Sequence, residues 1–99
     1  MAFRIVWSAT GIEDLKEIVR YVAMDNPEAA GHLAGRILIH IENASNLPRS
    51  NRTVPEKADE DIREAILKPY RIIYQVNDTR NSIHILRIWH ASRGDPELQ

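Results

Sequence analysis

Two long stretches of helical periodicity, separated by only three residues, constrain this chain more than any other feature. From Ile12 the apolar residues fall at Ile12, Leu15, Ile18, Val19 and Val22, the three-and-four spacing of one helical face. Ser8 stands where an N-cap belongs, and Glu13 and Asp14 lie in the early turns, where negative charge complements the helix dipole. The pattern predicts a first helix ending near Met24. Asp25-Asn26-Pro27 then breaks and restarts the chain: Asn26 can cap, and Pro27 suits a first helical position, where no amide donor is needed. Ala30, Leu33, Ala34, Ile37, Ile41 and Ala44 form a second stripe, predicting a helix that ends near Asn46, ahead of Leu47-Pro48. Helices joined so tightly pack antiparallel, and the small Ala30, Ala34 and Ala44 allow close approach. Such a hairpin cannot bury its apolar faces alone, so the rest of the chain must complete the core.

The completing element reads as a sheet. Phe3-Arg4-Ile5-Val6-Trp7 is rich in β-branched and aromatic residues and predicts a first strand. Three further runs, Ile62 to Leu67, Tyr70 to Val76 and Ile83 to His90, have strand character and are separated by Pro69 and by a turn over residues 77–82. Connections this short join antiparallel strands, so the C-terminal half is expected to be a meander covering the hairpin with one face. The polar segment 49–61, with Asn51, Pro55 and the acidic run Asp59-Glu60-Asp61, is expected to be an exposed, mobile loop, and residues 95–99 a frayed tail. The expected order is β-α-α-β-β-β in the α+β class, with residues 1–99 forming one domain around a helical hairpin packed on an antiparallel sheet.

Composition removes several function classes. With no cysteine there is no disulfide framework, thiolate metal site or thiol nucleophile, and the four histidines are scattered rather than set at ligand spacing. Neither a cofactor nor a metal is expected. No stretch approaches the roughly 20 apolar residues of a membrane span, and the N-terminus lacks a signal-peptide apolar run, so the expectation is a cytoplasmic protein with no membrane partner. A formal net charge of -1 argues against non-specific coating of nucleic acid. The basic residues are ten Arg and only three Lys, and Arg is the side chain suited to bidentate recognition of carboxylate or phosphate. An acidic partner surface and simple genomic base composition explain that bias equally well.

The sequence shows no glycine-rich phosphate loop, His-Glu-x-x-His helix or Gly-x-Ser-x-Gly elbow. What remains is a polar cluster on the expected sheet: Arg71, Arg87, His90 and Arg93 lie on or just past adjacent strands, Tyr70 and Tyr74 alternate with Arg71, and Glu56 and Glu64 can approach. Guanidinium donors could bind phosphate and stabilise developing negative charge, with His90 as proton donor. The plainer alternative is a solvated sheet face with Arg71 or Arg87 paired to Glu64 across strands. Period two places His84, Leu86, Ile88 and His90 on one face, so either histidine reads equally well as a packed residue. His32 and His40 read as ordinary helix positions, and Trp7 and Trp89 as packing residues rather than a base-stacking platform.

From about Ile5 to Arg93 the chain resembles the RelE/ParE superfamily of bacterial toxins. The marks are Trp7-Ser8 followed by Asp14-Leu15, Ile18 and Tyr21; Leu47-Pro48 with Arg52-Thr53-Val54-Pro55-Glu56; Tyr70-Arg71-Ile72-Ile73-Tyr74-Gln75-Val76; and Ile85-Leu86-Arg87-Ile88-Trp89-His90-Ala91-Ser92-Arg93. The resemblance implies the same β-α-α-β-β-β fold and a growth-inhibiting toxin of a type II toxin-antitoxin pair, a system type associated with plasmid stabilisation. The superfamily holds two activities: ribosome-dependent messenger RNA endonucleases of the RelE and YoeB types, and ParE-type inhibitors of DNA gyrase.

For an endoribonuclease, the resemblance implies Arg71 and Arg93 as its arginines and Glu56 with His90 as its base and acid. The departures are that Ile62 and Glu64 stand where RelE-type enzymes carry two lysines, Ala91 stands where the YoeB type has a tyrosine, and no tyrosine follows Arg93. Loss of cations near a scissile phosphate removes charge stabilisation. Leu47-Pro48 with Arg52 to Glu56, and the Arg87, His90, Arg93 ending, look more like ParE-type sequences. The resemblance therefore implies a ParE-like toxin aimed at gyrase, with a ribosome-directed messenger RNA endonuclease and an inactive antitoxin-binding module as alternatives. It also implies a hetero-oligomer with a cognate antitoxin of the ribbon-helix-helix type, through which alone the toxin would meet DNA.

Overall fold

In the computed structural model, which describes residues 2–98, the chain runs β1 (Arg4–Trp7), α1 (Ala9–Asp25), α2 (Pro27–Asn46), β2 (Arg52–Thr53), β3 (Ile62–Leu67), β4 (Tyr70–Asn77) and β5 (Ser82–His90), ending in a 3-10 turn over Ala91–Arg93. The sheet order is β1-β5-β4-β3-β2. The meander β3-β4-β5 is antiparallel as its short turns require, and β1 joins β5 in parallel, making the sheet mixed. Among the described residues no helix is long and apolar enough to cross a membrane.

The helix signals act where the sequence puts them. Ser8 caps α1, its Oγ accepting from the Gly11 N–H at 2.9 Å, and Asn26 caps α2, its Oδ1 accepting from the Ala29 N–H at 3.1 Å. Pro27 occupies the first turn of α2. The core lies between hairpin and sheet: Ile37, Ile41 and Ala44 of α2 meet Ala65, Leu67, Ile72, Tyr74, Val76, Ile83, Ile85 and Ile88, with Leu15 and Ile18 of α1 packed alongside. The stripe expected on α1 is rotated at its start. Ile12 is 40% exposed while Gly11 and Asp14 are buried, because the first turn presses against β5. A Cβ at position 11 would meet the Ile85 carbonyl oxygen at 2.8 Å, so only glycine permits that approach.

Three expectations need correction. The segment 49–61 is tied down rather than loose: β2 pairs with β3, Val54 is fully buried, and the buried Tyr74 hydroxyl donates to the Pro48 carbonyl at 2.6 Å while accepting from Asn51 Nδ2 at 3.0 Å. The tail is likewise tethered. Pro96 is buried, Leu98 packs against a second small core of Val54, Ile73 and Trp89, and Arg87 Nη1 donates to the Glu97 carbonyl at 3.0 Å; Gln99 lies outside the described residues. His84 and His90 do not share a face, because Ile73 pairs with Arg87 and Tyr74 with Ile85, leaving Leu86 as an extra residue in β5. Past this bulge the alternation is reset: Ile83, Ile85 and Ile88 point to the helices, whereas Leu86 and Trp89 join the small core on the other face.

Candidate functional site

The bulge divides the polar residues between two places. On the face away from the helices, Arg71 projects from β4 beside Glu64 of β3, as expected for side chains of one parity on neighbouring strands. Glu64 is wholly buried and accepts from Arg71 Nε at 2.6 Å and from Arg52 Nε at 2.5 Å. Glu56 reaches in from the turn that follows β2, taking both terminal nitrogens of Arg71 at 2.9 and 2.7 Å. The result is an alternating chain, Glu56–Arg71–Glu64–Arg52, in which two carboxylates neutralise two guanidinium groups. A buried carboxylate such as Glu64 is tolerable only when paired in this way. The Arg71 guanidinium holds the Glu56 carboxyl below its ordinary value, and the two carboxylates in turn raise Arg71, fixing it as a cation.

On the other side, His90 ends β5 opposite Tyr70, whose ring meets it edge-on at 5.4 Å between centroids. The Ser92 N–H donates to His90 Nδ1 at 3.1 Å, so in the neutral imidazole the proton sits on Nε2. His90 and Arg93 border a groove floored by Ile18, Ile88 and Tyr70 and walled by Asp14, Glu17 and Tyr21 of α1. The Arg93 guanidinium lies 4.0 Å from the centre of the buried Trp89 ring, and that of Arg87 4.8 Å from it, two cation–π contacts on one indole.

The expected site residues thus fall into two pairs. Glu56 is brought onto Arg71, and His90 lies with Arg93, but β4 and β5 present Arg71 and His90 to opposite faces. Arg87, expected either in a phosphate cluster or paired to Glu64, is instead claimed by helix α1: Asp14 accepts from its Nε at 2.8 Å and its Nη2 at 2.9 Å. The same carboxylate accepts from the Ile88 N–H at 3.0 Å. Because β1 accompanies β5 only to Ile85, the edge beyond would be bare; the Ser8 hydroxyl donates to the Leu86 carbonyl at 3.1 Å and Asp14 caps the next amide. Sequence reasoning missed this bridge. Its only trace was an acidic residue placed toward the buried side of a helix. Among the described residues, no three His, Asp or Glu side chains converge as a metal-binding set.

Comparison with known proteins places this geometry in context. The family model described as ParE toxin of type II toxin-antitoxin system, parDE, matches residues 5–94. The toxin RelE2 of Caulobacter vibrioides is 32% identical over 91 residues, spanning 91% of this chain and 97% of that protein. A chromosomal ParDE toxin-antitoxin structure from P. aeruginosa superposes with a TM-score of 0.71 at 22% identity, covering 90% of this chain and 96% of the other. The toxin-antitoxin complex RelBE2 of Mycobacterium tuberculosis contains a chain matching at 0.64 and 17% identity, covering 91% and 99%. The last two likenesses speak to the fold, which is the helical hairpin on a sheet described above. With nine-tenths of its length matched by the family model, the chain belongs to the ParE toxin family of type II toxin-antitoxin systems, within the RelE/ParE superfamily.

Proposed function

We propose that this toxin arrests growth without cutting RNA, by inhibiting DNA gyrase, and that a cognate antitoxin neutralises it. The observation that carries the reading is the state of Arg71. A ribonuclease needs a guanidinium free to take charge from a phosphate in the transition state, and a base and acid on either side of the same bond. Here the terminal nitrogens of Arg71 are held by Glu56, its Nε by Glu64, and His90 faces the other side of the sheet. Cleavage would require Glu56 to leave its partner and His90 to reach around the strand. Inhibition of a large enzyme by surface contact needs neither.

Antitoxin binding is supported by what the fold leaves uncovered. Tyr21, Met24, Leu38, Ile39 and Leu47 are all at least 48% exposed, apolar side chains spread over the length of the helical hairpin that a partner wrapping it would cover. The ParDE system and the RelBE2 complex named above each join a toxin to an antitoxin, which supports an antitoxin partner here. As the family resemblance implies, that partner is a ribbon-helix-helix protein whose C-terminal segment folds on binding, giving a cytoplasmic hetero-oligomer that meets DNA only through the antitoxin.

Induced expression in bacteria lacking the antitoxin tests the reading. The expected result is growth arrest with filamentation, DNA-damage signalling and intact messages. Prompt translation arrest with cleaved messages, abolished in a His90→Ala plus Arg93→Ala double variant, would make the protein an endoribonuclease with Glu56, Arg71, His90 and Arg93 as its site. Absence of arrest would leave an antitoxin-binding module.

A further inference from the structure

Strand β5 passes into the 3-10 turn Ala91–Arg93 at His90, and a ring nitrogen of that histidine holds the turn. The base of the turn is fixed by backbone alone, the Ala91 N–H donating to the Pro69 carbonyl at 2.9 Å. One residue further on, the acceptor is a side chain. The Ser92 N–H donates to His90 Nδ1 at 3.1 Å, and Ser92 Oγ stands 2.7 Å from the same nitrogen. His90 thus takes the place that Ser, Asp or Asn takes at an ordinary helix N-cap, but with an acceptor that a proton can abolish. Two further contacts hang on the turn. Arg93 stacks its guanidinium 4.0 Å from the centre of the Trp89 ring, and Trp89 Nε1 donates to the Gly94 carbonyl at 3.1 Å, where φ is +81° and the tail departs. Slack at Ser92 therefore reaches Arg93 first and Gly94 next.

An imidazolium carries hydrogen on both ring nitrogens. Once charged, Nδ1 donates, and the Ser92 hydroxyl can rotate to accept from it, but the Ser92 N–H is left facing a donor and loses its acceptor. The closed turn is compatible with the neutral ring only. Around the imidazole stand Asp14, Glu17 and Tyr21 of α1, Tyr70 of β4 and Arg93 of the turn itself, while Lys68 and Arg71 line the groove on the other side of Tyr70 and Ala91. Asp14 is taken up by Arg87, so Glu17 and Arg93 are the opposed charges that act on the ring across the groove. Neither supplies an acceptor to the Ser92 amide, whose partner is Nδ1.

We propose that His90 is a pH-sensitive latch: the neutral ring closes the Ala91–Arg93 turn and keeps Arg93 on Trp89, and protonation opens the turn and frees Arg93. The sign follows from the hydrogen bond. Closure belongs to the neutral imidazole, so it is complete above the range in which histidines titrate, about pH 5 to 8, and is lost as pH falls through that range. The Ala91 bond to Pro69 has no titrating partner and stays, so the opening is confined to residues 92–94 and to the tail they launch, leaving the sheet intact.

The test is an NMR titration of the purified full-length chain from pH 8 to pH 5, following the ring nitrogens of His90, the Ser92 amide and the Trp89 indole N–H. The expected result is an unprotonated Nδ1 at pH 8, then movement of the Ser92 and Trp89 signals with the same midpoint as the ring, with protection of the Ser92 amide against exchange falling about tenfold or more. His90→Asn supplies the control, because an Asn side chain caps such a turn through an oxygen that does not titrate in this range. In that variant the Ser92 and Trp89 signals are expected to hold still while His32, His40 and His84 titrate as before. A neutral ring that carries its proton on Nδ1, Ser92 and Trp89 signals that stay put while His90 titrates, or the same pH course in His90→Asn would each overturn the proposal. The ring-nitrogen measurement is made on the wild-type chain, so it decides even if the variant does not fold. None of these readings involves a growth phenotype or a gyrase assay, so they stand or fall independently of the target of the toxin.

Discussion

Arg71 carries the argument at the scale of single residues, since whatever holds its guanidinium decides what it can do. Glu56 binds it end-on from a turn, and its carboxyl is depressed below the ordinary value of 4.5 by that contact. A depressed carboxyl stabilises the fold fully above the unfolded value and loses that contribution as pH falls through the folded one. Wild type is therefore expected to exceed Glu56→Gln in stability by about 1.5 kcal/mol near neutral pH, with the gap closing as pH drops below about 4.5. Urea unfolding at a series of pH values reads this directly; a gap independent of pH would show that the pair does not matter.

The Asp14 bridge is more deeply set, with side-chain exposures of 9% for Asp14 and 13% for Arg87. Asp14→Ala strands the guanidinium and the Ile88 amide together, and a loss of about 3 kcal/mol is expected in the same assay. The residue types at these positions were legible in the sequence, and Arg71 with Glu64 was one of the pairings weighed. The roles of Glu56 and Asp14 were not, because each depends on a chain segment 15 and 73 residues away in sequence folding back onto its arginine.

Elements built from local signals were read well, and those built from distant ones were not. Both helices, their caps and the three long strands follow from periodicity, from Ser8, Asn26 and Pro27, and from turn residues between strands. The two-residue β2 carries no periodic signal and exists because β3 offers it an edge. Nor does any local pattern announce the Leu86 bulge, yet it sends His84 and His90 to opposite faces and so breaks the expected polar cluster. Glycine positions on the two helices make a paired prediction. Gly11→Ala drives a Cβ onto the Ile85 carbonyl and should cost about 1–3 kcal/mol despite better helix propensity. Gly31→Ala meets nothing within 4 Å and should gain about 0.5–1 kcal/mol from propensity alone. Thermal or urea unfolding of both variants decides it; similar effects of one sign would mean α1 does not press on β5 as described.

For the molecule as a whole, the sheet has two faces with different duties. One buries the helical hairpin and with it most of the core, while the other carries a small core around Trp89 and the neutralised Glu56–Arg71–Glu64–Arg52 chain. That division explains why membership of the toxin family was legible from order and spacing, whereas the proposal of an enzyme inhibitor over an RNA-cleaving toxin rests on which face each side chain occupies. The most direct measurement is a DNA supercoiling assay with purified gyrase and purified toxin, run beside a cleavage assay on messenger RNA bound to ribosomes. A ParE-like inhibitor stops supercoiling in a dose-dependent way and leaves the message whole. Undiminished supercoiling together with a cut message, lost when Arg71 is replaced by Ala, would contradict that reading and show that Glu56 releases Arg71 for catalysis.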